Sequence, residues 1–309
     1  MSATLTGLLD QFSAVRRELP ADLRLDGETH LVTGASRGLG LAIVKRLAAR
    51  GARVVMVCRS RLKEAPAEVR AAVPHADLIV QAVDLTNPPG IEAMLDHLVD
   101  ERLVFDRVIC NAGMVPAASR TTQAGLDVMV HVNFVANVQL VQGLRTRRRF
   151  ANGARLVMVG SDAHRYAVID LENWDVPATY GTAQVLQRYG ESKRLLHTWT
   201  EALAKRADDL HVLHLCPGAI ATDIAREAPG WLRPLVGPVM RTFFPGPDRV
   251  ASWVCWVIAS PEFDDQSGVY FHLGREKPPG EGVRDPNVGT PLWESAQRRV
   301  QSMLQPEES

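Results

Sequence analysis

A chain of 309 residues that is 46% hydrophobic and 23% charged has the composition of a soluble globular protein, and α/β folds of this length often form one unit. Lys plus Arg equals Asp plus Glu at 35 each, so the basic excess that a nucleic-acid or polyanion partner calls for is missing. No run approaches the roughly 20 apolar residues needed to span a bilayer and the N-terminus lacks the basic and apolar regions of a signal peptide, so a cytoplasmic protein is expected.

Residues 5–19 have helical apolar spacing that ends at Pro20, and 1–27 therefore read as a helical extension. From residue 28 the chain alternates. Apolar β-rich runs stand at 29–33, 53–58, 77–83, 106–110, 154–160, 211–216 and 268–272. Helical stretches lie between them at about 38–50, 61–73, 90–101, 121–149, 182–207 and 247–259. Short, continuously apolar strands joined by helices predict a parallel sheet covered on both faces. Right-handed crossovers make this a doubly wound Rossmann fold. The expected sheet has seven mostly parallel strands in the order 3-2-1-4-5-6-7, and residues 28–309 read as a single catalytic domain. Proline and glycine gather in 228–247 and 274–291, which marks two long loops of the kind used as lids or binding surfaces. The last segment, 274–309, reads as a C-terminal tail.

Two features carry only structural expectations. Arg145, Arg147, Arg148 and Arg149 fall where a helix should end, the position that favours solvated cations. Cys58, Cys110, Cys216 and Cys255 lack C-x-x-C or zinc-ligand spacing and read as buried reduced thiols.

The first strand runs into Thr33-Gly34-Ala35-Ser36-Arg37-Gly38-Leu39-Gly40, and a helical pattern follows at once. Glycine permits a tight turn and close approach of the backbone to a pyrophosphate, which the helix N-terminus then attracts. The placement between a strand and a helix gives the glycine spacing its weight. After the second strand, an acidic residue would bind the ribose 2′-hydroxyl of NAD. Arg59 stands there instead, with Arg37 inside the glycine loop, and two guanidinium groups suit a 2′-phosphate. NADP(H) is the expected cofactor.

Further along, Asp84-Leu85 follows the third strand and Asn111-Ala112-Gly113 the fourth. Asn133 lies in an apolar helix, Ser161 follows the fifth strand, Tyr189 and Lys193 are spaced as Y-x-x-x-K, and Pro217-Gly218-Ala219-Ile220-Ala221-Thr222 follows the sixth strand. With Gly34, Gly38 and Gly40 as G-x-x-x-G-x-G, this series resembles the short-chain dehydrogenase/reductase family over residues 28–304, in its compact form. The resemblance implies a catalytic tetrad of Asn133, Ser161, Tyr189 and Lys193. It implies cofactor contacts from Gly34, Ser36, Arg37, Gly38, Leu39, Gly40, Arg59, Asp84, Leu85, Asn111, Ala112 and Gly113. Tyr189, Lys193, Pro217, Gly218, Ile220 and Thr222 complete that set, Lys193 holding the nicotinamide ribose and Asn133 anchoring a water relay.

The residue chemistry agrees. Positions four apart on a helix share a face, which sets Lys193 beside Tyr189. A phenol titrates near ~10 when unperturbed, and an adjacent ammonium, with oxidised nicotinamide nearby, is expected to lower that value. Tyr189 is then general acid in reduction and general base in oxidation, while Ser161 bonds the substrate oxygen as charge develops on it. The cofactor supplies the hydride, so no metal is expected. Tyr180, the nearest other phenol, has Gln184 rather than lysine four residues on.

Ser161-Asp162-Ala163-His164, the long stretch from Ser161 to Tyr189, and the tail Arg284-Asp285-Pro286 with Leu292-Trp293-Glu294-Ser295 are similar to the retinol-dehydrogenase and protochlorophyllide-reductase-like branch. The loop after Thr222, about 223–246, holds Trp231, Leu232, Leu235, Val236, Val239, Met240, Phe243 and Phe244. It reads equally as a lid over a bulky substrate or as core packing, with shallow membrane contact a third option. The leading expectation is an NADP(H)-dependent carbonyl reductase or alcohol dehydrogenase for a hydrophobic small molecule. Reduction of a C=C bond and a non-enzymatic NADP(H)-binding sensor or scaffold stand as alternatives. Substrate, direction, stereochemistry, homodimer formation and peripheral membrane contact stay open at this level.

Overall fold

A computed structural model of the chain describes residues 17–218 and 245–305. The expected helix at 5–19 therefore lies almost wholly outside the described residues, as do Ile220, Thr222 and nearly all of the 223–246 loop.

Strands β1 (Thr29–Thr33), β2 (Arg53–Cys58), β3 (Leu78–Ala82), β4 (Phe105–Cys110), β5 (Phe150–Val159), β6 (Leu210–Cys216) and β7 (Val269–His272) run parallel, in the order β3-β2-β1-β4-β5-β6-β7. An eighth strand, β8 (Arg275–Glu276), adds antiparallel to β7, where the sequence reading expects seven strands. Two residues at the tip of a hairpin carry too little apolar periodicity to announce a strand.

Alternating side chains on each strand supply both layers. On one face Leu31, Val55, Val57, Val108, Leu156 and Met158 enter one apolar cluster; on the other Val32, Val54, Met56, Ile109, Val157 and Leu213 enter a second. The first cluster is closed by α3 (Pro88–Asp100), α4 (Ala136–Thr146), α5 (Val185–Ala204) and α7 (Pro286–Leu304), and the second by α1 (Gly38–Ala48) and α6 (Pro247–Ala259). α2 (Glu64–Ala72) adds Ala65 and Val69 to the second cluster. Each fully buried leucine or valine here contributes about 1.5–3 kcal/mol.

Two departures from the sequence reading stand out. The expected helix at 121–149 is broken: a short helix, Val128–Val130, capped by Asp127, gives way to a π-helical turn, His131–Val135, before α4. That turn carries Asn133, and such π turns recur at functional sites. The proline-rich stretch expected as a loop to 291 ends at Asp285, which caps α7 with Pro286 in its first turn. α7 lies along α5, with Trp293 stacked on Trp199 at 5.3 Å and Trp174 donating to Ser295 Oγ at 3.1 Å. The N-terminal arm is fastened by Arg50, whose guanidinium donates to the carbonyls of Leu19, Pro20 and Leu23.

Candidate active site

The C-terminal ends of the parallel strands lie along one side of the sheet, and the order in which the strands are laid down reverses between β1 and β4. A crevice at such a switch point is where open α/β sheets take their ligands. A cleft of about 610 Å³ lies there, lined by the turns after β1, β2, β3, β4, β5 and β6.

The wall after β1 is the glycine turn. Gly34 (φ +65°) and Gly38 (φ +54°) adopt left-handed backbone that favours glycine. A Cβ at Gly40 would stand 2.4 Å from the Gly34 carbonyl oxygen and 2.6 Å from Asn111 Nδ2, so only glycine lets the helix begin this close to the turn. Asn111 Nδ2 donates to Thr33 O at 2.9 Å and the Ala112 N–H to Thr33 Oγ1 at 3.0 Å, which ties the β4 turn to the β1 turn. Helix α1 starts without a side-chain cap and without an acidic residue in its first turn. Its first N–H groups are thus kept for an anion. Arg37 reaches Ser60 Oγ at 3.1 Å beside exposed Arg59, and Asp84 bonds the Thr86 N–H and hydroxyl with one carboxylate oxygen. The residues present therefore fit a dinucleotide with its diphosphate at α1 and its adenosine end toward Arg37 and Arg59.

At the other end of the cleft four predicted residues come together. Lys193, buried on α5, donates from Nζ to the Val159 carbonyl at 3.0 Å. Its Nζ lies 5.8 Å from the Tyr189 ring centre. Ser161, the next residue but one after β5, lines the same wall as Tyr189, with its Oγ accepting the Ala163 N–H at 3.3 Å. Asn133 is fully buried and uses its whole amide: Oδ1 accepts the Met114 N–H at 2.8 Å, while Nδ2 donates to Met114 O and Ser192 Oγ, each at 3.0 Å. Ser192 in turn donates to Tyr189 O at 2.8 Å.

Burial dominates the electrostatics of the pair. It pushes the Tyr189 hydroxyl up to about 12, opposed by the Ser161 hydroxyl, and pulls Lys193 down to about 8. Burial is the largest influence on this phenol and sets its direction. Gly113 stands opposite, with a Cβ position 3.3 Å from Asn133 Oδ1 and 3.4 Å from Lys193 Nζ.

Pro217 and Gly218 also line the cleft. Ser36, Leu39 and Leu85 line it too. Tyr180 is buried with Met129 and Val185 in a small cluster against which Tyr189 packs, and it does not line the cleft. The sequence reading gives no role to Ser60, Met114, Ser192, Tyr270 or Lys277, and it meets Asp162 and His164 only as part of the Ser161–His164 segment.

Comparison with known proteins agrees with this geometry. The family model for short chain dehydrogenases matches residues 28–174. Retinol dehydrogenase 14 of Mus musculus is 29% identical over 89% of this chain and 86% of its own length. A protein described as a daunorubicin C-13 ketoreductase from Streptomyces sp. (strain C5) is 31% identical over 89% of this chain and 93% of its own. Among solved structures, a short chain dehydrogenase from Burkholderia cenocepacia J2315 in complex with NADP is 28% identical, with a TM-score of 0.62 over 84% of this chain and 99% of its own. The fold and the site define a nicotinamide-type α/β oxidoreductase. The chain belongs to the short-chain dehydrogenase/reductase family. None of its described helices is long and apolar enough to cross a membrane.

Proposed function

We propose that this protein is an NADP(H)-dependent oxidoreductase that interconverts a hydrophobic aldehyde or ketone and its alcohol. The observation that carries this reading is that Ser161, Tyr189 and buried Lys193 line one cleft together with the glycine turn. Bound NADP(H) supplies the hydride to the carbonyl carbon, or accepts it from the alcohol.

The chain's own residues have distinct tasks in this reading. Backbone N–H groups around Gly34, Ser36, Gly38, Leu39 and Gly40 hold the diphosphate, and Arg37 and Arg59 take the 2′-phosphate. Asp84 and Leu85 flank the adenine, and Asn111, Ala112 and Gly113 border the ribose side. Pro217, Gly218, Ile220 and Thr222 serve the nicotinamide end. Ser161 donates to the substrate oxygen. Tyr189 passes its hydroxyl proton to that oxygen in reduction and recovers it in oxidation. Lys193 turns from Val159 toward the cofactor ribose, and Asn133 keeps the Met114 and Tyr189 backbones in register behind it.

Several observations support an apolar substrate. Met114, Val115 and Val132 line the cleft with apolar side chains. The names of two relatives point to retinol and to the C-13 ketone of daunorubicin, both large molecules. The solved relative in complex with NADP supports the phosphorylated cofactor. Four free buried cysteines support a reducing compartment such as the cytoplasm, and residues 28–309 act as one catalytic unit.

The test is NADPH oxidation over aldehydes and ketones of graded size, with the products identified. The reading expects alcohol formed in step with NADPH consumed, faster than with NADH. A product reduced at C=C with the carbonyl intact would contradict it, as would inertness toward every carbonyl while NADPH binds.

A further inference from the structure

The turn after β5 is held from behind by a group of side chains that the proposed reaction does not use. His164 is fully buried, with Nδ1 2.7 Å from the Ser161 carbonyl oxygen and Nε2 2.9 Å from the Gly280 nitrogen. A backbone N–H can only donate, so Nε2 accepts and carries no proton. Nδ1 must then be the protonated nitrogen, and it donates to Ser161. One tautomer alone satisfies both bonds.

The partner segment, 277–281, is fixed by three more side chains. Asp162 Oδ2 accepts from Lys277 Nζ at 3.1 Å, and its Oδ1 accepts from Tyr270 and from Arg165 Nε at 2.9 Å and 2.7 Å. Arg165 also donates to the carbonyls of Pro278 and Pro279. Arg194, which follows Lys193 on α5, donates to His164 O at 3.2 Å and to the Glu281 carbonyl. A Cβ at Gly280 would stand 3.1 Å from the imidazole, so glycine lets the strap lie flat on the ring.

The imidazole is also kept neutral. Burial holds it far down, to about 3; His197 and Arg165 push the same way and Asp162 pushes back. His197 stands edge-on at 4.4 Å and Tyr270 at 5.3 Å between ring centres. A neutral, doubly hydrogen-bonded ring wedged between two chain segments makes a rigid spacer.

We propose that His164 is a positioning residue for Ser161: its Nδ1–H fixes the serine's carbonyl, and thereby the serine hydroxyl against Tyr189, with the 277–281 strap as the abutment behind it. This rests on Ser161 and Tyr189 forming the reactive pair.

Asparagine places an amide N–H where Nδ1 stands, and glutamine reaches the Nε2 position instead. H164N is expected to keep kcat within about threefold, whereas H164Q loses about 10- to 100-fold, the scale of an ångström-sized misplacement. NADPH affinity, followed by fluorescence, stays the same in both. Equal losses in the two variants would mean that the ring only fills space, and would overturn the proposal. Should either variant fail to fold, ¹⁵N NMR of the intact chain decides. Neutral imidazole protonated at Nδ1 between pH 6 and 8 is expected, and an Nε2–H or cationic ring would overturn the proposal. Retention of turnover in Tyr189→Phe would sink the reading of the reactive pair instead, and leaves the NMR result to stand or fall alone.

Discussion

Lys193 Nζ donates to the carbonyl of Val159 at 3.0 Å, so the last residue of β5 holds the ammonium directly behind Ser161. Burial depresses this lysine from an ordinary 10.5 to about 8, and at pH 7 that difference costs about 3 kcal/mol of stability. A depressed lysine costs most below its folded value, and the cost fades as the pH rises from 8 to 10.5. Lys193→Met is therefore expected to melt higher at pH 7 while losing turnover by about 10²–10⁴-fold. A variant both less stable and fully active would contradict the assignment.

Acid should undo the fold in a definite window. His30, His131, His164, His197 and His214 are buried, and burial lowers each below its ordinary value of 6.5. His197 and His214 stack at 3.8 Å, and Glu201 Oε1 lies 3.6 Å from His197 Nε2, beyond hydrogen-bond reach, held by Arg284 instead. The unfolded chain takes up these protons below about 6.5 and the folded chain does not, so stability is full above that pH and falls below it. His131, held down to about 4, and His164, held down to about 3, each contribute about 1.4 kcal/mol per pH unit over the range in which only the unfolded chain is protonated. Thermal melts should fall steeply from pH 6.5 toward 4. A flat profile over that range would show that the rings are already solvated.

Gly40→Ala places a methyl group against the Gly34 carbonyl and the Asn111 amide. Both are fixed by the β1–β4 tie, so the glycine turn must shift. The expected result is a rise in NADPH Kd of about 10-fold or more, or about 1.4 kcal/mol, with an unchanged fold by circular dichroism. Unchanged affinity would move the diphosphate away from this turn.

Arg59→Asp tests the cofactor phosphate. A charge-assisted hydrogen bond contributes about 1.5–3 kcal/mol, and the introduced carboxylate repels the 2′-phosphate while accepting from a 2′-hydroxyl. The ratio of kcat/KM for NADPH over NADH is expected to fall by about 100-fold. An unaltered ratio would leave Arg37 and Ser60 to account for the preference.

Much of this architecture can be read in the sequence because the strands are buried on both faces. Runs such as Arg53–Cys58 and Leu210–Cys216 are apolar almost throughout, and the motifs fall at the strand ends where the fold needs them. Asn133, Ser161, Tyr189 and Lys193 do gather at one cleft end. What escapes is what depends on backbone irregularity or long-range contact. The π turn at His131–Val135 looks helical in its apolar spacing, and β8 is too short to show a period. Ser192 binds through a partner 59 positions away, and His164 meets Gly280 across 116. The shift at Tyr189 is set mainly by how deeply the fold buries it, which residue spacing does not report.

The central claim is that Tyr189 carries the proton, and Tyr189→Phe tests it most directly. Removing the hydroxyl leaves the ring, the Asn133–Ser192 bonds and the glycine turn in place. With a carbonyl substrate that the wild-type protein reduces, kcat is expected to fall by about 10²–10⁴-fold while the Kd for NADPH stays within about twofold, under 0.5 kcal/mol. Turnover close to wild type in a variant that still binds NADPH would contradict the account.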